Sequence, residues 1–138
     1  MITIFEVLTI LSIHWIADFI FQDEKWAIGK SSSIKSLLSH TFTYSLMWVV
    51  FAFLFLLGGY LFDLPKFQLD VVKVIYFIIT TLVAHTITDY FTSKIVSKKF
   101  KKQQYGSPIP NLGAFSIIGF DQILHYFQLF ITYSILFL

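Results

Sequence analysis

Four mostly apolar stretches set the limits on what this chain can fold into. They cover about 1–21, 37–61, 71–93 and 112–138, each near the roughly 20 residues that a helix needs to cross a hydrocarbon core. A soluble fold of 138 residues could not hide so much apolar surface, because small domains have too little interior. Only 13% of the residues are charged, where a soluble domain carries about 25%. The expected fold is therefore all-α: one transmembrane domain over 1–138, an integral membrane four-helix bundle. The first stretch lacks a basic leader region and a small-residue cleavage signal, so it is expected to be a retained span.

Polar segments separate the stretches. The first, 22–36, holds Asp23, Glu24, Lys25, Lys30, Lys35 and a serine triplet. The second, 62–70, holds Asp63, Pro65 and Lys66, and Gly58 and Gly59 precede it. The third, 94–111, holds the lysine-rich run from Lys94 to Lys102 and then Pro108 and Pro110, a stiff turn before the fourth span. Loops one and three carry nearly all the lysines. The positive-inside rule places them in the cytoplasm, with both termini outside. The run 94–102 reads as a topology determinant lying against anionic lipid. All ten basic residues are lysine, and the absence of arginine argues against nucleic-acid recognition. There is no cysteine, so disulfides and thiolate metal sites are excluded.

Each span carries one histidine: His14, His40, His85 and His125. Three of them have an aspartate four positions away, in the pairs His14–Asp18, His85–Asp89 and Asp121–His125. Residues at i and i+4 share a helix face. Under the expected topology all seven fall in the cytoplasmic half of the bilayer or near its middle, although the topology came from lysines alone. A carboxylate near the bilayer centre costs at least about 2.5 kcal/mol, so three of them need partners or water.

A divalent cation would neutralise such a cluster. His14, Asp18, His40, His85, Asp89, Asp121 and His125 are the candidate ligands. Imidazole and carboxylate suit zinc first, with manganese or iron as alternatives. Seven candidates exceed one tetrahedral shell, so either two ions bind or some aspartates orient histidine rings. A proton relay and plain interhelical hydrogen bonding are the competing readings. Gln22, Gln122, Lys30 and Lys94 could contact a substrate headgroup, or be interface glutamines and snorkelling lysines.

The pattern His14-x-x-x-Asp18-Phe19-x-x-Gln22, then Lys30, His40, His85-x-x-x-Asp89 and Asp121-Gln122-x-x-His125 resembles a family of small bacterial membrane proteins of unknown function, often linked to phages and prophages. The resemblance runs from about His14 to His125. More loosely, the chain is similar to small inner-membrane proteins described as membrane-bound metal-dependent hydrolases, some induced in the SOS response. That resemblance implies a multi-pass protein of the bacterial inner membrane. The expected function is a metal-dependent hydrolase near the cytoplasmic leaflet, with a phospholipid or lipid-linked phosphoester as substrate. Asp18, Asp89 and Asp121 would be its catalytic carboxylates. The alternative is a non-enzymatic effector: a proton or metal transporter or channel, which implies a homo-oligomer, or a phage accessory protein that binds a host membrane protein.

Overall fold

The computed structural model describes residues 1–62, 70–106 and 113–138. Asp63, Pro65 and Lys66 of the second loop lie outside the described residues, as do Pro108, Pro110 and Asn111 of the third and Leu112 of the fourth span.

The described chain is all-helical. Helix α1 covers Ile4–Trp15 and runs straight into a π-helical turn, Ile16–Ile20. Helix α2 covers Glu24–Gly29, α3 Ile34–Phe62, α4 Val71–Lys101 and α5 Ala114–Phe137. Three of these helices, α3, α4 and α5, are long and apolar enough to span a membrane, which marks a membrane protein. The first expected span is shorter and less regular than its sequence suggests, because the α-helix ends at Trp15.

Local chemistry sets the helix starts. Thr3 caps α1 in a capping box: its hydroxyl accepts from Glu6 N at 3.3 Å, and its own N–H donates to Glu6 Oε2 at 2.6 Å. Asp23 caps α2 by accepting from Lys25 N. Asp70 caps α4 by accepting from Val72 N and Lys73 N. Loop one is thus partly helical. At its far end α4 extends beyond the expected boundary at residue 93 and takes Lys94, Lys98, Lys99 and Lys101 into the helix. Lysine is a good helix former, and it suits the negative end of the helix dipole. Gly113 starts α5 where a Cβ would lie 2.0 Å from Gly106 N, so only glycine allows this backbone approach.

Helix α4 packs against α5 and α3, and α3 packs against α1 with its π turn and against α2. Helices α1 and α5 also meet through side chains. Tyr133 Oη donates to Glu6 Oε1 at 2.6 Å, and His14 Nε2 lies 2.8 Å from Gln122 Oε1. The arrangement is inside-out relative to a soluble protein. Phe42, Phe53, Ile79, Phe91 and Phe127 point outward, while all four histidines are buried. An apolar core of Ile10, Ile13, Ala17, Tyr44, Trp48, Phe77 and Leu129 borders the polar cluster.

Candidate metal centre

The three His–Asp pairs and His40 meet in one buried place. His14, His40, His85, Asp89 and His125 are each at most 1% exposed, and Asp18 and Asp121 are 4% and 7% exposed. Five elements supply them: α1, its π turn, α3, α4 and α5. Asp18 comes from the π turn, where the wider helix carries a side chain out of the regular α register.

His40 Nε2 is the hub. It lies 3.2 Å from Asp18 Oδ1, 3.0 Å from Asp89 Oδ2 and 3.2 Å from His85 Nε2. His85 Nε2 is 3.7 Å from Asp18 Oδ1 and 3.6 Å from Asp89 Oδ2. On the other side of Asp89, His125 Nε2 is 3.5 Å from Oδ1, and 3.4 Å from Asp121 Oδ1. The His85 and His125 rings stack at 4.1 Å.

Two groups here could hold a metal ion: Asp18, His40 and His85, and His85, Asp89 and His125. Within the first, the three donor atoms are 3.2, 3.2 and 3.7 Å apart. Bonds of about 2.0–2.2 Å in a tetrahedron place neighbouring donors about 3.3–3.6 Å apart, so the triangle fits one face of such a site. Three protein ligands leave the fourth position open, as in catalytic zinc sites. His85 belongs to both groups, and one ring nitrogen binds one ion. The groups are therefore alternatives for a single ion as long as both use His85 Nε2.

The surrounding atoms favour positive charge at the centre. Asp18 Oδ1, Asp89 Oδ1 and His125 Nε2 are buried without a hydrogen-bond partner. Carboxylate oxygens and imidazole lone pairs that face one another repel unless a proton or a cation sits among them. One cation is already in place: Lys30 Nζ donates to Asp89 Oδ2 at 2.9 Å. Burial pulls the Lys30 ammonium down, but the carboxylates of Asp89, Asp18 and Asp121 together outweigh it and hold the lysine above its ordinary value.

Residues 7–138 match the family described as a protein of unknown function (DUF3307). The chain belongs to it. No curated protein and no solved structure matches the chain. The match bears out the resemblance to a domain of unknown function, and it includes every histidine and aspartate of the cluster in this DUF3307 protein.

The other expected site residues divide clearly. His14 sits in the cluster but outside both ligand groups, and its ring nitrogens are engaged elsewhere. Nδ1 is 2.8 Å from Tyr44 Oη and Nε2 is 2.8 Å from Gln122 Oε1. With a carbonyl oxygen facing Nε2, that nitrogen donates, and in the neutral ring Nδ1 accepts the Tyr44 hydroxyl. Gln122 then uses its amide N–H groups on Asp18 Oδ2 at 3.1 Å and Asp121 Oδ2 at 3.3 Å. It joins two aspartates across helices. Asp121 is held further by Thr92 Oγ1 at 2.6 Å. Gln22 has a buried Oε1 without a hydrogen bond and joins none of these contacts. Lys94 lies apart, exposed, with Nζ 3.4 Å from the centre of the Tyr90 ring.

Tyr44 is the residue that sequence reasoning missed. It is 1% exposed, stacks on His85 at 3.8 Å and 9°, and holds His14. Its position four residues after His40, on the same helix face, was the available signal.

Proposed function

We propose that this DUF3307 protein is a membrane-embedded, divalent-metal-dependent hydrolase. The observation that carries the reading is the convergence of Asp18 Oδ1, His40 Nε2 and His85 Nε2 into a buried triangle of tetrahedral dimensions. Asp18, His40 and His85 hold the ion, zinc by the donor chemistry, with manganese and iron as alternatives. Such an ion lowers the pKa of a bound water and polarises a phosphoryl or acyl oxygen. Asp89 stays beside this face and serves as general base, within reach of a proton released there. Gln122 and Asp121 orient Asp18 and His125 from behind.

In this reading α1 with its π turn is the fourth span of a bundle, with both termini outside the bacterial inner membrane. The site then opens toward the lysine-rich cytoplasmic leaflet. A phospholipid or lipid-linked phosphoester is the substrate class, its anionic group met by Lys30. The apolar core of Ile10, Ile13, Trp48, Phe77 and Leu129 supports a one-sided site over a transport pathway. It lies between the cluster and the next buried or half-buried acid along α1, Glu6, which is used to cap that helix. A relay would need polar steps where these apolar side chains pack.

The deciding experiment is metal analysis of detergent-purified protein prepared without chelators, wild type against His85→Ala. The wild type should carry about one ion per chain, and His85→Ala should carry none. A folded wild type without stoichiometric metal would sink the reading, and metal-independent ion flux in lipid vesicles would replace it with the effector. Orientation is checked separately with Lys99→Cys, which should resist membrane-impermeant thiol reagents in intact cells. Labelling there would reverse the topology.

A further inference from the structure

We propose that Lys30 and the metal ion compete for Asp89. The ammonium neutralises that carboxylate when no ion is bound, and ion entry drives Lys30 off toward the headgroup side. The inference rests on the metal reading above. It adds an order of events: the anion-binding lysine becomes available only after the ion is in place.

The competition follows from one shared atom. Asp89 Oδ2 accepts from Lys30 Nζ at 2.9 Å and also lies 3.0 Å from His40 Nε2 and 3.6 Å from His85 Nε2. His40 and His85 are two of the three residues that hold the ion. A dication between them would face the ammonium across a single carboxylate oxygen, in a place where Asp89 is 1% exposed and water screens little. Like charges at that separation repel strongly. The lysine is the member free to leave: its side chain is 17% exposed, and it sits on a flexible four-carbon stem.

The local backbone places Lys30 for this role. It follows α2, a helix of 6 residues. Gly29 presses on the first turn of α3, where a Cβ would come within 2.6 Å of Ser36 Oγ. The Lys30 side chain extends from the end of α2 over the cluster. Lys30 therefore reaches Asp89, 59 residues further along the chain, without being part of a spanning helix. Were Lys30 only a structural partner of Asp89, its removal would loosen the cluster and weaken ion binding.

The opposite signs make the test. Zn²⁺ affinity is measured on detergent-purified wild type, Lys30→Ala and His85→Ala. In parallel, acylation of the Lys30 amine is followed by peptide mass spectrometry with and without Zn²⁺. Competition predicts that Lys30→Ala binds about tenfold tighter or more, because a neighbouring positive charge is gone. It also predicts that Zn²⁺ raises Lys30 acylation in the wild type and leaves it unchanged in His85→Ala. Lys30→Met, which keeps the apolar stem, serves if Lys30→Ala does not fold. Unchanged or weaker binding in the Lys30 variants, or acylation that does not respond to Zn²⁺ in a wild type that binds it, overturns the competition and leaves the metal reading standing. Absence of Zn²⁺ binding in both wild type and Lys30 variants removes both.

Discussion

Along α1 and its π turn, Ile10 and Ile13 are buried in an apolar cluster with Trp48, Phe77 and Leu129, whereas His14 and then Asp18 are buried in a polar one. The same helices thus build two interiors of opposite chemistry. In lipid, apolar side chains gain little by leaving the solvent, so the first interior is held by close packing. The second must satisfy its charges internally, because no bulk water is present to do so. Tyr44 stands on the border. Its ring packs in the apolar cluster, and its hydroxyl meets His14. The apolar end supplies rigidity, and the polar end spends part of it to hold carboxylates and imidazoles face to face.

If the two interiors are separable, damage to the apolar one should cost stability and leave metal binding alone. Trp48→Ala is the strongest such lesion. Trp48 is 6% exposed and meets Phe77 edge-on at 5.2 Å and Tyr44 at 6.4 Å. Its truncation opens a cavity and should cost about 3–5 kcal/mol, read as a fall in unfolding midpoint in detergent. The folded fraction should still carry the wild-type amount of metal. Loss of metal from folded Trp48→Ala would show that the two interiors act as one unit.

That separation was only half legible in the sequence. Three of the four expected spans, those of α3, α4 and α5, were readable from length and apolar composition, since both follow directly from the thickness of the hydrocarbon core. The His–Asp pairs were readable because i and i+4 spacing survives as a shared face on α4 and α5. The π turn was not. Nothing in Ile16–Ile20 announces a wider helix, and this turn is what carries Asp18. Nor could spacing say which histidine would be engaged elsewhere. His14 looks like His85 and His125 in sequence, each paired with an aspartate four positions away, and only the tertiary placement of Tyr44 and Gln122 occupies both its nitrogens. Lys30 was legible as a loop lysine near the site. Its pairing with Asp89 joins residues 59 apart in the chain, which no local pattern encodes.

The border itself can be tested with Tyr44→Phe. The substitution keeps the ring that stacks on His85 and removes the hydroxyl held by His14. His14 would lose one of its two anchors, and the chain of hydrogen bonds through Gln122 to Asp18 would loosen. Removing an outer partner of a ligand costs about 10–100-fold in metal affinity, and the low end is expected because Asp18 is reached through two residues. Co²⁺ bound in place of the native ion should show an altered visible spectrum. Stability should fall by only about 1 kcal/mol. Unchanged affinity and spectrum would mean that the polar interior does not depend on the apolar one even where they touch.

The smallest effect belongs to the far end of α1, beyond the apolar cluster. Glu6 accepts from Thr3 N and Thr3 Oγ1 through one oxygen and from Tyr133 Oη through the other. It therefore closes the capping box and ties α1 to α5 at once. Glu6→Ala removes both links, yet the Thr3 hydroxyl still accepts from the residue 6 N–H. The expected loss is about 1 kcal/mol of stability. Glu6→Gln should recover much of it, because glutamine also completes a capping box and offers Tyr133 an acceptor. Neither variant should change metal content. A metal loss in Glu6→Ala that Glu6→Gln restores would extend the functional unit across the apolar core, and the molecule would then have a single interior reaching both ends of α1.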